Sequence, residues 1–238
     1  MYDFNSLVAL LLGILLTILL YVIGLKLYQR YHIDLFTPNI FGIVSLVIIM
    51  SIFRIDYAWY EPSATAINFF LKPAVVVLAL PLYRRLPLLM KNKLPILLGI
   101  FSGVLVSSFS IVFFSFLGNF DMITMLSLLP KSITTPMGIE VSQSMQAIPS
   151  ITVLAILITG VVGTVLAKTI LSLGNIHHPI AKGVAIGTSA HVLGTTKALE
   201  IGEVEGAISG LSLALAGIIS VFYLPFLAYL IRMIYKMI

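Results

Sequence analysis

Residues 122–137 read Met-Ile-Thr-Met-Leu-Ser-Leu-Leu-Pro-Lys-Ser-Ile-Thr-Thr-Pro-Met: a short apolar half, then a break at 130–136 holding two prolines, a lysine and three hydroxyl residues. Proline removes a backbone donor and biases the residue before it away from helix, so this stretch cannot run on as one regular helix. A second half begins at Met137 and carries Glu140. Residues 179–205 follow the same plan, with a half from Ala181 to Ala190, a break over 191–196, and a second half beginning at Lys197.

The surroundings make these breaks informative. The chain has 238 residues, 60% hydrophobic and 10% charged, against about 45–50% and about 25% in soluble domains. That excludes a water-soluble domain. Six runs are long and apolar enough to be spans, at 7–25, 35–53, 63–83, 94–117, 148–167 and 206–231, the third interrupted by Lys72-Pro73. The expected fold is an all-α polytopic membrane protein with six apolar spans plus two broken or re-entrant helical segments, 121–147 and 179–205. Residues 1–93 form a three-span frame and 94–238 a core, within one membrane domain. Displacing the chain by 60 residues aligns Gly103 with Gly163, Thr135 with Thr195 and Glu140 with Glu200, which suggests an internal repeat. Hairpins entering from opposite faces would make it an inverted one; if both segments instead cross, there are eight crossings.

The first run is not a cleaved signal, because Asp3 replaces a cationic leader and Lys26 to Arg30 follows in place of a small-residue cleavage site. The net charge of +5 sits between apolar runs and reads as a topology signal, which argues against nucleic acid as a partner. The densest basic loop, Tyr83-Arg84-Arg85 to Lys93, belongs on the cytoplasmic side, placing the N-terminus outside. With no cysteine, disulfides, thiolate metal sites and cysteine nucleophiles are excluded. Trp59, beside Tyr57 and Tyr60, reads as an interfacial anchor.

Irregular backbone at membrane depth survives only where it is buried in protein or lines a watery cavity. Each second half-helix offers free N–H groups and the positive end of a dipole, both suited to an anion. Thr135 with Pro136, and Thr196 with Lys197, read as N-cap and first-turn pairs. Paired broken helices of this kind hold carboxylates in secondary transporters. The candidate binding residues are Lys131, Ser132, Thr134, Thr135, His191, Gly194, Thr195, Thr196 and Lys197; Glu140, Glu200 and His191 are the proton-coupling candidates. Each has a plainer reading. Lys131 and Lys197 can snorkel to headgroups, Glu140 can simply complement a dipole, and His191 can be a satisfied core histidine. Glu203 and Glu205 read as a solvated face. Lys72 either faces a cavity or pairs with a carboxylate. No hydrolase, metalloprotease or P-loop motif occurs, the four Asp residues lie near span ends, and His177-His178 alone make no metal site. The expectation is a non-enzyme with no cofactor and no metal.

The string 128–142, Leu-Leu-Pro-Lys-Ser-Ile-Thr-Thr-Pro-Met-Gly-Ile-Glu-Val-Ser, resembles the signature of the LrgB/CidB family. So does 179–191, running on through Gly194-Thr195-Thr196-Lys197-Ala198-Leu199-Glu200, and Pro81-Leu82-Tyr83 fits as well. Residues 131–134 and 138–142 are closer to the CidB branch; the stretch 143–147 departs from it, where relatives tend to be glycine-rich. The resemblance implies a multi-pass protein of the bacterial cytoplasmic membrane. Its family is named for holin-like and antiholin-like control of murein hydrolase export and lysis. Other members act as carriers of pyruvate, with a small LrgA/CidA-type membrane partner, or of glycolate and glycerate. The two broken segments agree better with a carrier of small monocarboxylates such as pyruvate, glycolate or lactate. The alternative is a modulator of lysis without transport. The expected partners are the carboxylate, the LrgA/CidA-type protein and the bilayer, with a homo-oligomer left open.

Overall fold

The computed structural model describes residues 4–33, 36–70, 73, 83, 87 and 90–237, and among them every regular element is helical. The chain forms two compact units, Met1–Val76 and Val77–Ile238.

The first unit holds α1 (Phe4–Tyr31), α2 (Pro38–Ile52) and α3 (Tyr57–Phe69). Pro38 opens α2 with the φ a helix start requires, and the Asp56 carboxylate caps α3 by accepting the Ala58 N–H at 3.0 Å. Ser63 is fully buried, its hydroxyl 3.0 Å from the Leu10 carbonyl, and Thr17 meets the Tyr60 hydroxyl at 2.9 Å. Hydroxyls facing another helix are the usual glue where lipid gives no hydrophobic drive to association.

The second unit holds α4 (Lys93–Leu117), α5 (Met122–Leu128), a 3-10 turn (Leu129–Ser132), α6 (Thr135–Ser144), α7 (Pro149–Leu173), α8 (Pro179–Ser189), α9 (His191–Ile201) and α10 (Glu203–Met237). Four helices among the described residues are long and apolar enough to cross a membrane, at 7–31, 93–117, 149–173 and 203–234. Their outer faces expose large apolar side chains such as Leu15, Phe109, Val165 and Phe222, which lipid covers better than water. This is a multi-pass membrane protein. Of the expected six, four are found among the described residues; α2 has 15 residues, about 22 Å of helix against a hydrocarbon core of about 30 Å. Most of the expected third span and Lys72 lie outside the described residues.

Helices α4 and α10 run the same way. Ile96 and Ile100 pack with Ile208 and Leu211, and Ile111 and Val112 pack against the cluster of Leu224, Ala228 and Ile231 further along. Helix α8 starts beside the start of α4, since His178 and Ile180 line one groove with Asn92 and Pro95. It packs closely on α10: a Cβ at Gly187 would collide with the Ser209 backbone. Helix α9 then returns, because Glu200 and Ile201 at its end line a pocket with Lys182 in the first turns of α8. Segment 179–201 is therefore a hairpin with both ends at one end of the bundle.

Segment 121–145 is a second hairpin, at the other end. Asp121 caps α5 by accepting from the Thr124 N–H and hydroxyl. Those bonds hold its carboxyl below the ordinary carboxylate value, so their stabilisation is complete above that value and lost as pH falls through the lowered one. Met145, where α6 ends, packs with Met125 of α5 and Ile231 of α10. Arg232 donates to the Met145 carbonyl and to Gln146 Oε1, placing a cation at the negative end of α6. The hairpin is fastened to α7 by a buried hydroxyl cluster in which Thr152 Oγ1 lies 2.7 Å from the Ser127 carbonyl and 2.9 Å from Ser142 Oγ.

Four expectations are corrected. The second break is not the stretch 191–196, which is helical; it is confined to Ala190 and His191, the latter with φ 41°. Burial of Leu193, Gly194 and Ala198 sustains a helix that Gly and Thr alone would not favour. Thr196 and Lys197 are consequently mid-helix and not a cap, and the first-segment cap is Thr134, with Thr135 and Pro136 inside α6. The 60-residue register fails as well, since Thr135 opens α6 whereas Thr195 lies a turn inside α9. Helix ends recur instead at 56: α4 and α7 both have 25 residues and a Gly C-cap, and α6 and α9 start 56 apart. The buried positions 96, 100, 104, 108 and 115 of α4 recur as 152, 156, 160, 164 and 171 of α7. Glu205, read as solvated, is buried at the start of α10, against Gly202.

Thr152→Val keeps the side-chain shape and removes the hydroxyl that joins Ser127 to Ser142. It is expected to cost about 1–3 kcal/mol, read as a lower melting temperature of the purified protein.

Candidate functional site

The two hairpins bring their tips together. Ser132 and Ile133 of the first share a small cavity with Thr188 of the second, walled by Val104, Ser107 and Ser108 of α4 and by Ser220 of α10. At about 10 Å³ it has the room of roughly one water. Its lining is rich in hydroxyls for a protein core. Ser107 Oγ meets Ser132 Oγ at 3.0 Å, and Lys131 Nζ donates to Ser132 Oγ at 3.2 Å. Ser108 and Thr188 satisfy themselves on the carbonyls of Val104 and Val184, each at 2.8 Å.

The first tip is polar for a backbone reason. After the 3-10 turn, Ile133 and Thr134 are extended, so α6 begins at depth with the unpaired N–H groups of any helix start. Gly138 N–H already bonds the Thr134 carbonyl at 2.8 Å, and Pro136 contributes no donor. The Thr134 side chain does not cap the helix, and its Oγ1 is buried with no hydrogen-bond partner among the described residues. Leaving a buried hydroxyl unpaired costs about 1–3 kcal/mol, a cost that a bound acceptor or donor would remove. Lys131, partly buried, sets a cation beside this helix start.

The second tip is one residue, His191. Its φ of 41° lies in the left-handed region, which a non-glycine residue holds only when its surroundings impose it. Two features do so. The ring is buried, with Nε2 2.6 Å from the Ile156 carbonyl; a carbonyl only accepts, so Nε2 carries the hydrogen and Nδ1 is left to exchange a proton. The ring also fills the space over Gly160, where a Cβ would meet His191 Nε2 and Cε1.

The sequence-derived candidates thus divide. Lys131, Ser132 and Thr134 fall at the first tip and His191 at the second, with Thr135 in the first turn of α6. Gly194 packs inside its hairpin against Ala190 and Ile186. Thr195 bonds the His191 carbonyl and Ser209 Oγ, both at 2.9 Å, so it ties the tip to α10. Thr196 is exposed and bonded to its own helix. Lys197 pairs with Glu200 at 3.0 Å toward the hairpin's outer end, and Glu140 is exposed on α6. Ser107, Ser108, Thr188 and Ser220 were not among the candidates; the sequence shows them only as hydroxyls in apolar runs, where helix packing explains them equally well.

The LrgB-like family model matches residues 17–230. The chain belongs to the LrgB-like family. Among its relatives, the "Holin-like protein CidB" of Staphylococcus epidermidis is 36% identical over 91% of this chain and 94% of its own length. The protein of that name from Staphylococcus aureus is 34% identical over 94% of this chain and 97% of its own length. An uncharacterized Bacillus subtilis protein, YxaC, is 35% identical over 91% and 94%. No solved structure matches this LrgB-like chain.

Gly160→Ala in this LrgB-like protein is expected to destabilise by about 1–3 kcal/mol through overpacking against His191. His191→Ala in the same chain should relieve the clash, so that melting temperatures of the two single variants and the double variant are non-additive.

Proposed function

We propose that this LrgB-like protein is a carrier of small monocarboxylates, of the size and charge of pyruvate, glycolate or lactate. What carries the reading is the unpartnered, buried Thr134 hydroxyl at a helix start, with Lys131 just before it in the same tip. A carboxylate would accept from Thr134, Ser132 and the first N–H groups of α6, with Lys131 balancing its charge. The cavity between the tips holds about one water, so substrate enters when the hairpins part. Alternating access would move the core against the frame formed by the N-terminal helices. The 56-residue recurrence of helix ends and buried positions is what an inverted repeat of one span and one hairpin would produce. Among the proton-coupling candidates, His191 is favoured over Glu140 and Glu200, which are exposed and distant along their helices from the tips. A small LrgA/CidA-type membrane protein is the proposed partner, in a bacterial cytoplasmic membrane, with a homo-oligomer as a further arrangement.

The second reading is a holin-like or antiholin-like modulator of murein hydrolase activity and lysis, without transport. The names of the staphylococcal relatives favour it.

Uptake of labelled pyruvate or glycolate into proteoliposomes, with and without the small partner, separates the two. The carrier reading expects saturable uptake that Thr134→Val and Lys131→Gln each reduce at least about tenfold, the effect of losing a charge-assisted hydrogen bond. It also expects His191→Gln to flatten the pH dependence of uptake. Carboxylate permeability equal to that of empty vesicles, with lysis altered in cells, would select the second reading.

A further inference from the structure

Away from the tips, the base of the second hairpin encloses a pocket of about 400 Å³. Its walls are the end of α7 with Lys168, Leu171 and Ser172, the connection with Ile176 and His177, Lys182 of α8, and Glu200 and Ile201 of α9. Glu200 is neutralised by Lys197 at 3.0 Å. Among the described residues neither Lys168 nor Lys182 has a carboxylate at ion-pair distance, so the pocket presents two uncompensated ammonium groups and an imidazole. We propose that this pocket binds a phosphate-bearing anion, presented by the headgroup of an anionic phospholipid.

Three observations set the chemistry. Lys168 lies five residues before the end of a 25-residue, membrane-length helix, at the level where lipid phosphates sit. From Lys168 toward the middle of α7 the helix exposes Val165, Val162 and Ile158, a track for acyl chains running from the headgroup toward the bilayer centre. The pocket also lies at the end of the bundle where α4 and α8 begin. That end carries Lys91, Lys93, Lys168 and Lys182 besides Glu203 and Glu205, whereas the opposite one carries Arg232 and Lys236 besides Asp121, so the Lys and Arg residues that set orientation are concentrated at the pocket's end. This bias marks the pocket's end as the cytoplasmic one, and basic pockets between helices on that side take acidic headgroups. A bound phosphate would link Lys168 of the long helix α7 to Lys182 in the hairpin, clamping the hairpin base to its scaffold. The inference does not depend on what crosses between the tips.

The test compares the wild-type protein with Lys168→Gln/Lys182→Gln; one side chain is exposed and the other partly so, so the fold should tolerate both changes. Melting temperature is read in detergent supplemented with phosphatidylglycerol, phosphatidylcholine or inorganic phosphate, and retained lipid is counted by native mass spectrometry. A rise of about 5 °C with phosphatidylglycerol alone, lost in the double variant together with the retained lipid, is the expected result. An equal rise with inorganic phosphate, lost in the variant, would keep the site but overturn the lipid as its source. No rise with either anion, or the same rise in wild type and variant, would overturn the site.

Discussion

A polypeptide broken at membrane depth must find partners for the N–H and C=O groups that the interrupted helix no longer pairs, because lipid supplies none. The second unit answers this twice. At the first tip the chain passes through a 3-10 turn and two extended residues before α6 begins; at the second it turns on a single left-handed residue, His191. Much of the surrounding structure serves these two points. Ser127, Ser142 and Thr152 fasten the first hairpin to α7, and Gly160 makes room for the imidazole that holds the second. Ser107 of α4 and Ser209 of α10 meet Ser132 and Thr195, so each tip is tied to a long helix.

The same constraint explains why chemistry collects there. A helix start in a dry core has unsatisfied donors and a positive field, and the first tip adds Lys131 and a hydroxyl, Thr134 Oγ1, without a partner. The second tip adds an imidazole whose Nε2 is committed to a carbonyl and whose Nδ1 is not. These groups suit a small anion and a proton.

Much of this was legible from residue order. Pro130, Lys131 and Pro136 in an apolar chain mark a break, and the first half-helix lies where the sequence puts it, but the interruption ends at Thr134 because Pro136 sits in the first turn of α6 and does not stop it. The second break was not, since Gly194, Thr195 and Thr196 look like loop residues by propensity, whereas burial of Leu193 and Ala198 keeps them helical. Likewise, Thr135 and Thr195 match as letters but not as positions; the 56-residue relation lives in helix ends and buried faces, which identity between aliphatic residues does not reveal. Glu140 and Glu200 drew attention as charges at depth, yet depth is set by where a hairpin turns, and both fall on its outer arms. The hydroxyls of α4 and α10 gain meaning only from what packs against them.

The central claim is that the two hairpins enter from opposite faces and meet tip to tip. Because the chain has no cysteine, single cysteines can be placed at Asn119 and Gln146, flanking the first hairpin, and at Asn175 and Glu203, flanking the second. All four positions are exposed. Labelling with a membrane-impermeant thiol reagent in oriented vesicles should modify the first pair from one side only and the second pair from the other side only. Modification of Asn119→Cys and Gln146→Cys from different sides would make that segment a full crossing and contradict the account.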